Sequence, residues 1–241
     1  MRFKPIWRVA ALGAVLAWQS ALATAQELGQ FIRWCEGKDT DSYEKAADAC
    51  TTFIDSGYRS GTGLVWAFVN RGLWSDNLGR YDRAIQDFDE AIRLAPDNAL
   101  AFTNRCMTRA TIGQLESALA DCNRALDLRP NDGIALVWRG LVHLKMGRHD
   151  AALADEDASL SIDPKGATAL YLRGIVFRRK GDEAHARADI AAALAINPKV
   201  SAEITSAGSS RVEVWLREAW EHRRAPSYYN FARPDFNLAP L

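Results

Sequence analysis

The sequence predicts an all-α fold, a solenoid of repeated helix-turn-helix units, on three observations. Pro96, Pro130, Pro164 and Pro198 succeed one another at intervals of 34 residues, a period that marks stacked supersecondary units rather than one sheet or bundle. A glycine stands 17 residues before each of these prolines, at Gly79, Gly113, Gly147 and Gly181. On both sides of that glycine apolar residues recur at three- and four-residue spacing. Each interval therefore reads as two amphipathic helices, the first ended by a left-handed glycine and the second closed by the proline.

Starting each unit 31 residues before its proline gives the units 65–98, 99–132, 133–166 and 167–200. Column 7 is Arg71, Arg105, Arg139 and Arg173; column 23 is Asp87, Asp121, Asp155 and Asp189. Column 8 is small, with Gly72, Cys106, Gly140 and Gly174. Column 20 is Ala84, Ala118, Ala152 and Ala186, and column 27 is Ala91, Ala125, Ser159 and Ala193. Small residues in these columns let two helices approach closely, where larger ones would force them apart.

The small columns and closing proline resemble the tetratricopeptide repeat (TPR) family over residues 65–200. That resemblance implies a right-handed superhelical solenoid. It also marks a variant subtype. The family's Leu in column 7 is Arg here, its Trp in column 4 is Phe68, Phe102, Leu136 and Leu170, and its Tyr in column 11 is absent.

Columns 7 and 23 flank the column 15 glycine symmetrically, and such positions lie level in an antiparallel hairpin. Arg71 is expected to face Asp87, Arg105 to face Asp121, Arg139 to face Asp155 and Arg173 to face Asp189, as ion pairs between helices. The alternative is charge on a solvated face. Four coincidences at one spacing favour the pairs. An exposed pair contributes about 0.2–1 kcal/mol, whereas breaking a buried one costs about 3–5 kcal/mol.

The 241 residues are 48% hydrophobic and 25% charged, with 30 basic and 30 acidic side chains, a soluble globular composition. Zero net charge gives no electrostatic pull toward nucleic acid or an anionic membrane, and no nucleic-acid partner is expected. Residues 1–25 read as a signal peptide: Arg2, Lys4 and Arg8 precede an uncharged apolar run, residues 9–18, and Ala23, Thr24 and Ala25 supply a small-residue cleavage site. Cleavage there starts the mature chain at Gln26, without stable membrane insertion, in the periplasm of a bacterial envelope or outside the cell. The alternative is an uncleaved anchor, since the uncharged stretch 9–26 approaches spanning length.

Export makes the cysteines informative, because thiols in an oxidising compartment pair. Cys106 and Cys122 fall in columns 8 and 24, level across the second hairpin, and Cys35 and Cys50 stand almost the same interval apart. Disulfides Cys35–Cys50 and Cys106–Cys122 are expected, each contributing about 3 kcal/mol in the chain-entropy view. The alternative for Cys106 is a small buried residue in a glycine column. Tyr43, Glu44, Lys45 and Ala46 parallel Tyr81, Asp82, Arg83 and Ala84, so residues 26–64 read as a degenerate N-terminal unit. The turn-rich stretch 56–63 sets it out of phase, as befits a cap. Residues 201–241 are expected to close the other end. Val212, Trp215, Leu216, Ala219 and Trp220 share one face of a helix over 211–224, and an aromatic, Pro-rich tail follows that folds back on the solenoid or binds something else.

A stack of helical hairpins is curved, with its first helices lining an extended concave groove. The resemblance places columns 2, 5, 6, 9, 12 and 13 in that lining. The expected ligand-facing residues are Trp66, Val69, Asn70 and Leu73 in the first unit and Thr103, Asn104 and Met107 in the second. Val137, Trp138 and Leu141 follow in the third unit, Tyr171 and Arg178 in the fourth. An apolar, aromatic groove with amides and a basic end suits a peptide or helical segment of a protein partner. The family's carboxylate clamp is not supported, because Val69 and Ile134 stand where it needs lysines. No catalytic residue, metal site or cofactor is expected. His143, His149, His185 and His222 have no metal-ligand spacing, and the sequence carries neither a phosphate-cradling loop nor a nucleophile elbow. Three readings result: an exported, non-catalytic interaction module, a structural adaptor working through its C-terminal helix and tail, and a binder of glycans or small molecules.

Overall fold

The computed structural model describes residues 26–201. The signal peptide expected over 1–25 and the helices and tail expected beyond 201 lie outside the described residues. Within them the chain is all α, with ten α-helices in sequential pairs. The cap is α1 (26–35) and α2 (Tyr43–Asp55), joined through a short 3-10 turn, Gly61–Leu64, to the regular array. The array comprises α3 (Val65–Asn77), α4 (Tyr81–Leu94), α5 (Ala99–Thr111), α6 (Leu115–Leu128), α7 (Gly133–Lys145), α8 (His149–Ile162), α9 (Ala167–Arg179) and α10 (Glu183–Ile196).

Local chemistry sets each boundary. Gly79 takes φ +70°, and a side chain there would meet no atom within 4 Å, so the backbone conformation alone asks for glycine. Its N–H donates to the Asp76 carbonyl and that of Arg80 to the Ser75 carbonyl, the paired bonds that seal a helix end. The same five-residue bond recurs at Gln114, Arg148 and Asp182. Second helices end because Ala95, Arg129, Asp163 and Asn197 each precede a proline, which bars them from helical ψ; Ala95 is extended at φ −140°, ψ 88°. Asn98 and Asp132 then cap the next first helices, accepting from the N–H of Ala101 and of Ile134 and Ala135.

Hairpin packing runs through columns 8 and 24. A Cβ on Gly72 would come within 2.6 Å of Phe88, and one on Gly174 within 2.7 Å of Ile190. In the second unit the same two columns are joined covalently, Cys106 to Cys122, with Cα atoms 5.4 Å apart. In the third, Gly140 faces Glu156. The cap is joined by Cys35 to Cys50. Its core continues into the array: Trp74 donates from Nε1 to the Cys35 carbonyl and stacks on Tyr43, while Trp66 packs on Phe53.

The column 7 arginines tie neighbouring pairs of helices together. Arg71 makes a two-pronged contact with Asp87, Nη2 to Oδ1 at 2.6 Å and Nε to Oδ2 at 3.0 Å. Arg105 meets Asp121, Arg139 meets Asp155 and Arg173 meets Asp189 in the same way. The third nitrogen, Nη1, reaches back to the second helix of the preceding pair. Its acceptors are Thr51, Asp89, Asn123 and Asp157 in turn. Arg105, Arg139 and Arg173 are thus each held by acceptors 16 residues before and 16 residues after them. Arg71 is held by Asp87 16 residues after it and by Thr51 20 residues before it, the phase shift of the cap. The result is a polar ladder from the cap to the last hairpin, which fixes the angle between successive units.

Candidate functional site

Consecutive first helices, α3 with α5, α5 with α7 and α7 with α9, pack directly on one another, while the second helices form no comparably close pairs. The first helices therefore lie on the inner side of the stack and the second helices splay on the outer side.

The residues assigned to the inner face divide by burial. Asn70, Val137, Trp138 and Tyr171 are partly exposed, and Arg178 at the far end is exposed. Trp66, Val69, Leu73, Thr103, Asn104, Met107 and Leu141 are buried. Val69, Leu73 and Met107 share a core with Phe88 and Ala101. Trp66 is 6 % exposed, because the cap lays Phe53 on it; its ring serves the core. Trp138 packs against two adjoining cores, one around Met107 and one around Cys106 and Val142, and keeps part of its ring outside both. It is a rigid aromatic platform at mid-face. Tyr171 rests on the core around Leu170 and Val200.

A polar seat lies between α3 and α5. Asp76 is 9 % exposed, and the Thr108 hydroxyl donates to its Oδ1 at 2.6 Å. Burial raises its carboxyl to about pKa 6, against the smaller opposing effect of the Thr108 bond. The unfolded chain releases this proton near 3.8, so stability falls between that pH and about 6, by about 3 kcal/mol once the group is ionised. One turn before Thr108, Asn104 is 8 % exposed, and its Nδ2 has no acceptor. Sequence reasoning did not single out Asp76 for chemistry. Column 12 marked it as inner-facing, but its burial depends on the helix that follows.

Two further ionisable groups lie away from this face. His143 stands 3.8 Å from Asp155, and burial holds its imidazole below the ordinary value, with Arg139 and Arg148 reinforcing and Asp155 opposing. Glu156 is fully buried, both its oxygens lack partners, and burial, reinforced by Asp155 and Asp157 against Arg173, holds its carboxyl well above the usual range. Among the described residues no cluster of His, Cys, Asp or Glu could hold a metal ion, and no helix is long and apolar enough to cross a membrane.

Tetratricopeptide repeat profiles match residues 65–98, 107–167 and 139–201. No curated protein matches the sequence significantly. Among solved structures, one of MamA is similar at 22% identity and TM-score 0.54, covering 66% of this chain and 91% of that one. Another, of MamA from Desulfovibrio magneticus RS-1, is similar at 19% identity and TM-score 0.56, covering 66% and 88%. YrrB, described as a TPR protein with an unusual peptide-binding site, is similar at 24% identity and TM-score 0.51, covering 65% and 78%. At these identities the likeness is one of fold.

Proposed function

The chain belongs to the tetratricopeptide repeat family, and from that premise we propose that it is an exported, non-catalytic interaction module whose inner face holds a peptide or helical segment of an envelope protein. The observation that carries this reading is the composition of the inner face. Trp138 and Tyr171 offer rigid aromatic surface that the cores do not fully use, Val137 extends it, and the Asn70 amide can donate to and accept from a ligand backbone. Arg178, exposed at the last turn of α9, supplies a cation for an acidic group of the ligand. The two disulfides support an oxidising compartment, where such bonds persist.

The test is capture of a partner from envelope extract by the mature chain, repeated with Trp138→Ala and with Tyr171→Ala. Each variant is expected to weaken capture at least about thirtyfold, the effect of losing a central aromatic anchor, with the helical circular dichroism retained. Unchanged capture by both variants would remove the inner face from the function. Four free thiols in protein taken from its native compartment would remove the export.

A further inference from the structure

Asp76 is a buried carboxylate kept without a cation. The arginines around it are committed elsewhere: Arg71 on α3 to Asp87, Arg80 after α3 to Glu44, Arg105 on α5 to Asp121 and Asp89, and Arg109 to Asp121. On the other helices packed against α3, Lys45 of α2 lies over the Trp34 ring and Arg93 of α4 is paired with Glu90. No charged group contributes to the displacement of the Asp76 pKa. Only one Asp76 oxygen is used by the fold, through Thr108. Among the described residues Oδ2 has no protein partner, and unlike the Glu156 oxygens it is not sealed from solvent. Asn104 repeats the pattern on α5. Its Nδ2 is sealed and orphaned, and its Oδ1, also without a protein partner, is open.

We propose that Asp76 Oδ2 on α3, with Asn104 Oδ1 one turn before Thr108 on the adjoining α5, forms a subsite on the inner face that takes a positively charged group of the ligand, a lysine or arginine side chain. The Thr108 hydroxyl ties α5 to Asp76. The inference rests on the peptide-binding reading above and adds a chemical requirement to it. An ammonium or guanidinium brings several donors and a full charge to two acceptors that the fold leaves unused. The ligand's charge offsets the burial that the free protein tolerates, so Asp76 binds it best when ionised. A side chain that only filled space in the fold would do its work as well as asparagine. An aspartate with a free oxygen turned to solvent is what a cation receptor requires.

Selection of random decapeptides displayed on phage, against the oxidised mature chain at pH 7.5, tests this. Wild type is expected to enrich peptides carrying Lys or Arg at one fixed position. Asp76→Asn, which keeps the shape and the Thr108 contact, is expected to bind the same peptides about ten- to a hundredfold more weakly. It should still select peptides, now without the basic position. Wild-type affinity for a selected peptide should also fall as pH drops below about 6, where Asp76 takes up its proton, and the Asp76→Asn affinity should not. Peptides selected without a basic position, or equal affinity of Asp76→Asn and wild type for a basic peptide, would overturn the subsite while leaving the groove reading intact. Selection of no peptide at all would overturn both.

Discussion

Replacement of Arg71 by methionine is expected to cost about 3–5 kcal/mol of stability, read as a fall in the urea midpoint. The Arg71 side chain is 11 % exposed and that of its partner Asp87 only 4 %. Methionine fills most of the volume but leaves Asp87 charged, buried and unpaired, and it releases Thr51 on the cap. Removing both charges, Arg71→Met with Asp87→Leu, should recover most of the loss, because the penalty lies in the stranded carboxylate rather than in the missing attraction. The same substitution at Arg139, whose side chain is 26 % exposed, should cost less, because water reaches that pair. A loss below about 1 kcal/mol for Arg71→Met would put the ladder among surface salt bridges and remove its role in fixing the angle between units.

Glu156→Ile should act in the opposite direction. Column 24 holds Phe88 in the first unit, the half-cystine Cys122 in the second and Ile190 in the fourth, each facing the small residue of column 8. Glu156 puts a carboxyl there with neither oxygen paired. Isoleucine suits the hairpin, as Ile190 does, and is expected to raise stability by about 1–3 kcal/mol by removing unsatisfied polar atoms. The gain should grow with pH. Burial holds the folded-state pKa well above the model-compound value of 4.5, so the folded chain keeps a proton that the unfolded chain releases. Wild-type stability is therefore lost as pH rises from about 4.5 through the folded pKa, and the variant has no such group to titrate. The difference between the two proteins should be constant below that range, widen across it and level off above the folded pKa. Glu156→Gln should remove the pH-dependent part and keep the rest. A difference that does not change with pH would mean that Glu156 ionises freely, against its burial.

The architecture was legible because it rests on residues with few conformational choices. Four glycines at one phase and four prolines at another set backbone angles that only a chain of helical hairpins satisfies, and the period repeats the message. The acceptors before each arginine were also present in the sequence, Asp89, Asn123 and Asp157 at 16 residues and Thr51 at 20 across the out-of-phase cap. They went unread because symmetry within one hairpin points only forward, while these contacts join two units. The inner face was harder to read. A column assigns a residue to a helix side, but its exposure depends on what the adjacent unit lays over it. Trp66 is buried by the cap, whose repeat pattern is degenerate. Column 12 puts Asp76 on the inner side and column 24 sets Glu156 level with Gly140, but neither position tells how completely the neighbouring helices enclose the carboxylate.

The central claim, that the inner face receives the partner, is tested most directly by photo-crosslinking a peptide selected on the oxidised chain and locating the bond by mass spectrometry. The account predicts attachment on α3, α5, α7 and α9, at or beside Asn70, Val137, Trp138 and Tyr171. Attachment confined to α4, α6, α8 and α10 would contradict it.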